Sequence, residues 1–343
     1  MEGLGEGVVG EVLLHLDGLA GLCELVDVGG HRCLRGSERA VLRAPNGTGV
    51  AWSFVRATTA VIPAAGLGTR FYPVTKAVPK ELLPIVDVPA IQLVIDEAIA
   101  AGCDHIVVVS HPSKGPIERY LTPDATVVAK VRDSGRTEMA DRLACIGTEV
   151  RVTVVHQDAP RGLGHAVGCA RAAVGGNPFA VLLPDELMGD ANLLVALVDS
   201  VDATGVGAVG LMRVPADEVS AYGVVTPSAA SPHEGPFQIV DVVEKPRRED
   251  APSNLIIIGR YVLTPDVFEE IDRLSPQANG EMQLTDALRS QSATSPLTGL
   301  LNRSKRWDTG TPMGWLIAVV DIALERPDVA NAFGAWLRQR VDP

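Results

Sequence analysis

The stretch that most constrains this chain is 58–87, TTAVIPAAGLGTRFYPVTKAVPKELLPIVD. It opens with a short apolar run, Ala60–Ile62, that ends at a proline and is typical of a buried strand. A small-residue loop, AAGLGT, follows directly, and three cations come within the next eleven residues: Arg70, Lys76 and Lys80. Glycines let a backbone approach a ligand and turn its N–H groups toward an anion. The pattern therefore predicts a nucleotide site at the edge of an open α/β sheet.

Gly66 and Gly68 also fit a plain strand-to-helix turn. That interpretation does not account for the cations, which stand out in a chain of 343 residues with a formal net charge of −12. The loop matches neither G-x-x-x-x-G-K-[ST] nor G-x-G-x-x-G. The phosphate-binding hypothesis therefore depends on these residues alone.

The composition is that of a globular protein with an aliphatic core, because 46% of residues are hydrophobic and only 4% are aromatic. The acidic balance argues against a nucleic-acid binder, which carries a basic face. No apolar run approaches the roughly 20 residues that span a bilayer, and the acidic N-terminus lacks the basic region of a signal peptide. We therefore expect a cytoplasmic protein without nucleic-acid or membrane partners.

The cysteines are odd in number and scattered, and no pair has C-x-x-C spacing: Cys23, Cys33, Cys103, Cys145 and Cys169. This pattern indicates neither a zinc site nor a disulfide framework. We expect free thiols in a reducing cytoplasm.

Residues 1–56 are rich in glycine and show no sustained period. Two interpretations stay open: a small accessory element, or an upstream extension of the reading frame with the true start near Val55. Residues 57–343 alternate strands and helices, which predicts an α/β domain with a mostly parallel, mixed sheet. After about Asp202 the pattern indicates a mixed or antiparallel extension with a second half-site, about 203–300. Helices then occupy about 311–340.

Two carboxylates are candidates for a metal site. Asp185 follows the predicted strand Phe179–Leu183, and Asp308 lies in the segment RWDTG. Carboxylates beside a phosphate cradle suit Mg²⁺, which is commonly held by one or two carboxylates plus substrate phosphates. The alternatives are a turn or helix cap at Asp185 and an Asx turn before Gly310 at Asp308.

Two further groups are candidates for base and sugar recognition. Gln157 follows the predicted strand Arg151–His156, and its amide offers a donor and an acceptor to a base, while Gly162 lets the backbone approach. Glu244 and Lys245 end another strand, where they could serve sugar hydroxyls and a phosphate. Adjacent strand residues point to opposite faces, so this needs a twist or bulge. The alternatives are a polar strand end with a simple turn, and a surface ion pair.

Taken together, these residues resemble the bacterial UTP–glucose-1-phosphate uridylyltransferase (UDP-glucose pyrophosphorylase) family from about Thr58 to Arg340. The motifs occur in the family's order: AVIPAAGLGTRFYPVTKAVPKELLPIVD, GLGHAV, LLPD, AYGVV, VVEKP, APSNL, GRYVL, QLTDA and DTG. The resemblance implies a Rossmann-like nucleotidyltransferase fold with C-terminal helices in oligomer contacts, giving a dimer or tetramer. It implies a Mg²⁺-dependent reaction of UTP with glucose 1-phosphate to give UDP-glucose and pyrophosphate.

The resemblance also implies roles for individual residues. The uracil would be held by Ala65, Gly66, Gln157 and Gly162, with Leu67 and Gly68 in the same nucleotide loop. Catalytic cations would be Arg70 and Lys80 on the triphosphate and Lys245 on the sugar phosphate. The sugar site would include Gly223, Glu244 and Gly259, and Mg²⁺ would lie on Asp185 and Asp308.

Two departures from the family pattern matter here. Glu186 follows the metal aspartate and could add a ligand or only charge, and the predicted helical segment 125–146 matches loosely. Two other functions stay open: a transferase for another base or sugar phosphate, such as a thymidylyltransferase, and a silent nucleotide-sugar sensor. The apolar face of 315–324 fits either a subunit contact or core packing.

Overall fold

A computed structural model describes residues 24–28, 31–35, 56–228, 235–277, 280–295 and 297–341. The chain divides into two compact units, Met1–Ser53 and Phe54–Pro343. In the first unit the structure describes one antiparallel strand pair, in which Glu24 lies opposite Arg35 and Val28 opposite His31. The remainder of the predicted segment 1–56, apart from residue 56, lies outside the described residues.

The described strands have the following bounds: β1 Glu24–Val28, β2 His31–Arg35, β3 Thr59–Pro63, β4 Pro84–Ile85, β5 Val88–Pro89, β6 His105–Ser110, β7 Arg151–His156, β8 Phe179–Leu182, β9 Glu186–Met188, β10 Ala208–Arg213, β11 Gly223–Pro227, β12 Phe237–Glu244, β13 Leu255–Leu263, β14 Leu297–Leu301 and β15 Arg306–Asp308. The described helices are α1 Ala90–Ala100, α2 Gly115–Leu121, α3 Ala125–Asp133, α4 Thr137–Cys145, α5 Gly162–Cys169, α6 Arg171–Val174, α7 Asn192–Thr204, α8 Val267–Arg273, α9 Leu284–Thr294, α10 Pro312–Glu325 and α11 Ala330–Val341.

Within the described residues, nine strands form one mixed sheet in the order β10-β14-β12-β11-β13-β8-β3-β6-β7. Strands β7, β6, β3 and β8 pair in parallel. The apolar runs of β3, β6 and β8 are buried on both faces, whereas the edge strand β7 is only partly buried: in β3, for example, Ala60 and Ile62 join one core cluster and Val61 the other. The predicted mixed α/β sheet is therefore confirmed.

The second half of the sheet is mainly antiparallel. Strand β13 pairs antiparallel with β8, β11 and β10, and β10 pairs in parallel with β14. The pairings of β10, β14, β12, β11 and β13 return to their starting strand, so these five strands close on themselves. The predicted change of character after about residue 202 corresponds to this closed group.

Two segments differ from their predicted structure. The segment 125–146 forms two helices rather than one, because Gly135 between them adopts a left-handed φ of 81°. The segment at Gly162, for which a simple turn was one alternative, is instead the first turn of helix α5. The C-terminal helices α10 and α11 match their predicted positions closely.

Candidate active site

The candidate residues collect at the edge where the parallel strands end. Strands β3, β6, β7 and β8 run in one direction, so their carboxyl ends share this edge. The Ala64 N–H donates to the Val109 carbonyl at 2.7 Å, and the Gln157 N–H donates to the Ser110 carbonyl at 2.8 Å. The glycine loop thus lies centrally, with Gln157 to one side, and Asp185 follows β8 on the other.

The glycine loop packs closely against the segment that carries Lys80. Gly68 has a φ of 64°, and a Cβ there would lie 3.2 Å from Thr75 Cγ2 and 3.3 Å from Lys80 Cβ. The Thr75 hydroxyl donates to the Gly68 carbonyl at 2.8 Å. Glycine is therefore required at position 68 by both the turn and the close approach. At Gly66, by contrast, no atom of the described part of the chain lies within 4 Å of a Cβ position, which leaves open space beside the loop.

A buried ion pair also links the glycine loop to the segment that carries Lys80. Lys114 Nζ donates to the Ala64 carbonyl at 2.7 Å and to both Glu81 carboxylate oxygens at 2.9 Å. Burial raises the pKa of Glu81 and lowers that of Lys114, and each charge partly offsets the effect on its partner. Since Glu81 is adjacent to Lys80, Lys114 fixes the glycine loop and Lys80 relative to each other.

Lys80 forms an ion pair with Asp185, with Nζ 2.5 Å from Oδ2. Burial alone would lower the pKa of Lys80, but the carboxylates of Asp185 and Glu81 outweigh it and raise that pKa. Burial alone would raise the pKa of Asp185, but the Lys80 ammonium outweighs it and lowers that pKa. Both side chains are therefore charged at neutral pH.

Asp308 joins this pair through the turn at Gly310. A Cβ on Gly310 would lie 3.0 Å from Asp308 Oδ1, 3.3 Å from Asp185 Oδ2 and 3.7 Å from Arg70 Nη1. Asp308 Oδ1 accepts the Gly310 N–H at 2.8 Å, so the Asx turn is present as well. The Thr309 N–H and hydroxyl donate to the Asp185 carbonyl at 2.7 and 2.9 Å. The Asp185 and Asp308 carboxylates and the Arg70 guanidinium thus all lie close to Gly310.

The carboxylate of Glu186 is paired with Arg306. It accepts two hydrogen bonds from Arg306, one of them at 2.5 Å from Nη2 to Oε1. The Arg306 guanidinium also lies over the Tyr222 ring, 5.6 Å from its centroid. Of the two options for Glu186, the structure supports a charge partner of Arg306 rather than a third ligand.

Gln157 is almost fully buried, and its amide contacts the start of α5. Nε2 lies 3.1 Å from the Gly162 carbonyl and 2.8 Å from His165 Nδ1. Gly162 has a φ of 89°, and a Cβ there would lie 2.7 Å from the Met282 carbonyl. The Gly164 N–H donates to that same carbonyl at 2.8 Å. Packing against residue 282 therefore explains both glycines structurally.

Three of the four candidate sugar residues, Gly223, Glu244 and Lys245, form a separate cluster at the start of β11 and the end of β12. Gly223 lies opposite Glu244, and a Cβ on Gly223 would lie 3.3 Å from Glu244 Oε2. Lys245 has a positive φ of 42°, and its Nζ lies 3.3 Å from Glu244 Oε1. The left-handed backbone of Lys245, directly after β12, thus places its ammonium on the same side as the Glu244 carboxylate. Adjacent residues of a regular strand would point to opposite faces, so this irregularity is the twist that the sequence required.

Gly259 packs against Leu183 and Glu186, the residues on either side of the Pro184-Asp185 segment. A Cβ on Gly259 would lie 2.6 Å from Leu183 Cβ and 2.9 Å from Glu186 Cγ, so only glycine fits. The next residue, Arg260, is fully buried and pairs with Glu97 through two hydrogen bonds of 2.8 and 2.6 Å. It also donates to the carbonyls of Leu183 and Glu186, so it fixes the backbone on both sides of Asp185.

The structure thus assembles three groups from the predicted residues. Asp185, Asp308, Arg70 and Lys80 meet near Gly310; Gly223, Glu244 and Lys245 form the second group; Gln157 and Gly162 form the third. Sequence reasoning missed the supporting residues: Glu81, Glu97, Lys114, His165, Arg260 and Arg306. Lys114 and Arg260 follow buried strands or lie within them, where a cation is unusual, and that signal could have found them. Lys76 is exposed and lines a cavity of about 480 Å³ with Leu67 and Tyr72.

A sequence model of the nucleotidyl transferase family matches residues 59–323. A UTP–glucose-1-phosphate uridylyltransferase of Streptococcus pneumoniae is 41% identical over 285 residues, which cover 82% of this chain and 95% of that relative. The chain belongs to the UTP–glucose-1-phosphate uridylyltransferase family. The corresponding relative of Bacillus subtilis is 40% identical and covers 81% of this chain and 93% of its own length.

Solved structures agree with this assignment. A UTP-bound UGPase from Acinetobacter baumannii has a TM-score of 0.76 and 35% identity, covering 82% of this chain and 98% of that chain. A UDP-glucose pyrophosphorylase complexed with UDP-glucose has a TM-score of 0.70 and 37% identity, covering 79% of this chain and 100% of that chain. A putative glucose-1-phosphate thymidylyltransferase from Bacillus anthracis, at 23% identity and a TM-score of 0.61, shares the fold.

Proposed function

We propose that this protein catalyses the reaction of UTP with glucose 1-phosphate to give UDP-glucose and pyrophosphate. The observation that carries the proposal is the convergence of Asp185, Asp308 and Arg70 at Gly310, with Lys80 paired to Asp185. Two carboxylates beside two cations suit the transfer of a charged phosphoryl centre, where catalysis is mostly positioning and charge neutralisation. The choice of UTP and glucose 1-phosphate as substrates follows from the relatives, which are UTP–glucose-1-phosphate uridylyltransferases.

In this reaction a phosphate oxygen of glucose 1-phosphate attacks the α-phosphorus of UTP in line. The bond from the α-phosphorus to the oxygen that bridges it to the β-phosphorus breaks, and pyrophosphate leaves with that electron pair. Arg70 and Lys80 hold the triphosphate and then the departing pyrophosphate. Lys245 holds the phosphate of the sugar and counters the charge that gathers at the reacting centre.

The nucleotide is held at the central loop. Ala65 and Gly66, with Leu67 and Gly68, form the backbone surface for the base, and the open space beside Gly66 supports this placement. Gln157 and Gly162 contact the base from the side of α5. On the sugar side, Glu244 accepts hydrogen bonds from hydroxyls next to Gly223, and Gly259 is the fourth residue assigned to this site.

Asp185 and Asp308 are the residues that would hold Mg²⁺. Both are hard oxygen donors, and their oxygens lie within 3.3 Å of one Cβ position at Gly310, so the donor set fits the ion. Within the described part of the chain no cluster of three or more His, Cys, Asp or Glu side chains has metal-binding geometry, so substrate phosphates would complete the shell. When bound, Mg²⁺ neutralises phosphate charge and polarises the phosphoryl oxygens.

We further propose a homo-oligomer, dimer or tetramer, that uses α10 and α11. Several large apolar side chains on these helices are exposed: Met313, Leu316, Ile317, Leu324 and Trp336. Such a patch is typical of a subunit contact. Sedimentation velocity of the wild type and of a Leu316→Glu/Ile317→Glu variant tests this, and an unchanged sedimentation coefficient in the variant contradicts it.

We also infer a cytoplasmic location. Cys103, Cys145 and Cys169 are free thiols, which supports a reducing compartment. None of the helices that the structure describes is both long and apolar enough to cross a bilayer.

A pyrophosphate-release assay with glucose 1-phosphate and UTP, dTTP, ATP or GTP tests the function. We expect UTP to be used with the highest kcat/KM. A preference for dTTP would assign a thymidylyltransferase instead, and no turnover of any nucleotide with Mg²⁺ would assign a non-catalytic nucleotide-sugar binder. Other sugar 1-phosphates, assayed with UTP, test the sugar assignment in the same way.

A further inference from the structure

Two groups, the Gly162 carbonyl and the His165 ring, determine which of its two orientations the Gln157 side-chain amide adopts. The Gly162 carbonyl oxygen, 3.1 Å from Nε2, can accept a hydrogen bond but cannot donate one. Reversing the amide would place two oxygens against each other in a site where Gln157 is only 4% exposed. The nitrogen therefore faces α5, and the amide oxygen is turned away from Gly162.

His165 is the second group that faces this nitrogen. Its Nδ1 lies 2.8 Å from Gln157 Nε2, so Nδ1 must accept and the proton of the neutral ring must be on Nε2. Burial lowers the pKa of His165, with a smaller contribution from the positive charge of Arg161, and this favours the neutral ring. Cys169 Sγ lies 3.9 Å from the same Nδ1.

The imidazole is held on a rigid support. His165 lies in the first turn of α5, where the Gly164 N–H donates to the Met282 carbonyl and the Met282 N–H donates to the Arg161 carbonyl, both at 2.8 Å. These two bonds fix the start of the helix to the segment before α9. The ring therefore presents a fixed acceptor to Gln157.

We propose that His165 is a positioning residue that sets the base specificity of the nucleotide site by fixing the amide orientation of Gln157. The inference rests on the proposed function, in which Gln157 contacts the base. With its nitrogen held by Gly162 and His165, Gln157 offers the base an acceptor oxygen. The N3 position of uracil carries a proton and donates to that oxygen, whereas N3 of cytosine is an acceptor and meets it with a lone pair.

The experiment compares UTP and CTP in steady state at saturating glucose 1-phosphate and Mg²⁺. The variants are His165→Ala, which removes the acceptor, and His165→Asn, whose Oδ1 takes the place of Nδ1. Cys169→Ala is the matched control, since it alters the same surface of α5 and leaves the imidazole in place. Thermal melting of each protein accompanies the kinetics.

We expect His165→Ala to raise KM for UTP about tenfold, the value of one buried hydrogen bond, and to leave kcat within about twofold. The ratio of kcat/KM for UTP to that for CTP should fall about tenfold, and His165→Asn should restore most of both parameters. Cys169→Ala should match the wild type.

Three results would overturn the inference. An unchanged UTP-to-CTP ratio in His165→Ala removes the orienting role. Equal losses in both His165 variants, with kcat and the melting temperature falling together, assign His165 a structural role instead. Absence of UTP turnover in the wild type overturns the proposed function and this inference with it, and that result is distinct because it precedes any substitution.

Discussion

Lys80 and Asp185 lie 105 residues apart in the chain and meet through a 2.5 Å contact between ammonium and carboxylate. Each is assigned to a different ligand, Lys80 to the phosphates and Asp185 to Mg²⁺. In the protein alone they neutralise each other, which keeps both partly buried charges paired. A bound Mg²⁺ ion would replace Lys80 as the partner of Asp185, and a bound triphosphate would replace Asp185 as the partner of Lys80. Neither side chain would then be left without an opposite charge.

Asp185→Asn should therefore lower kcat by about a hundredfold or more, because a Mg²⁺ ion at this site would lose one of its two protein carboxylates. The side chain keeps its shape, so the fold should persist. Pyrophosphate release measures the first effect and circular dichroism the second. Asp217→Asn, at an exposed position, is the control. Near-normal turnover in Asp185→Asn would remove this residue from the metal site.

Gly310→Ala should weaken the response to Mg²⁺. The new Cβ would lie 3.0 Å from Asp308 Oδ1 and 3.3 Å from Asp185 Oδ2, so the carboxylates must move apart. We expect the Mg²⁺ concentration for half-maximal activity to rise about tenfold or more. In Gly176→Ala the Cβ meets no atom of the described residues within 4 Å, so this control should behave as wild type. An identical Mg²⁺ titration for both variants would contradict the assignment.

Lys245→Ala should raise KM for glucose 1-phosphate about tenfold to a hundredfold, the loss expected for a charge-assisted hydrogen bond. KM for UTP should change little, since Lys245 belongs to the cluster on β11 and β12. The two Michaelis constants are measured separately at saturating co-substrate, with the exposed Lys130→Ala as control. Equal effects on both substrates would refute the placement.

Lys114→Met should lower the free energy of unfolding by about 3–5 kcal/mol, because it leaves the Glu81 carboxylate buried without its partner. Adding Glu81→Leu should recover part of that loss, since both charges are then gone. Urea unfolding of the two single variants and the double variant gives the coupling. Strictly additive losses would show that the pair does not act as a unit.

KM for UTP should rise as pH falls below the lowered pKa of His165, which lies beneath the usual value of about 6.5. Protonation makes Nδ1 a donor that opposes Gln157 Nε2, so the acceptor is lost on the acid side. Burial and Arg161 resist protonation, and Asp158 favours it. A pH series of KM for wild type and His165→Asn checks this, and a parallel rise in both proteins would exclude His165 as the titrating group.

The buried strands of the parallel half were predictable because their apolar runs are continuous and separated by helical patterns. The positions of Asp185 and Gln157 at the carboxyl edge of the sheet were predictable as well, because each comes shortly after a strand of this half. The start of α5 was not predictable, because it depends on the backbone at Met282, more than a hundred residues away. Arg306 and Lys114 were missed because their roles arise from partners, Glu186 and Glu81, that only the folded chain brings near.

Strand β13 belongs to both halves of the sheet: it is part of the closed group around the sugar residues, and its far end pairs with β8 beside Asp185. One hydrogen-bonded ladder of strands, with a register shift between Val209 and Leu211, therefore connects the strands near the proposed sugar residues to the strand that precedes Asp185. A hinged swing of one half against the other would have to break that ladder. Closure over bound substrates is therefore expected in the loops of the second unit rather than between the two halves of its described sheet.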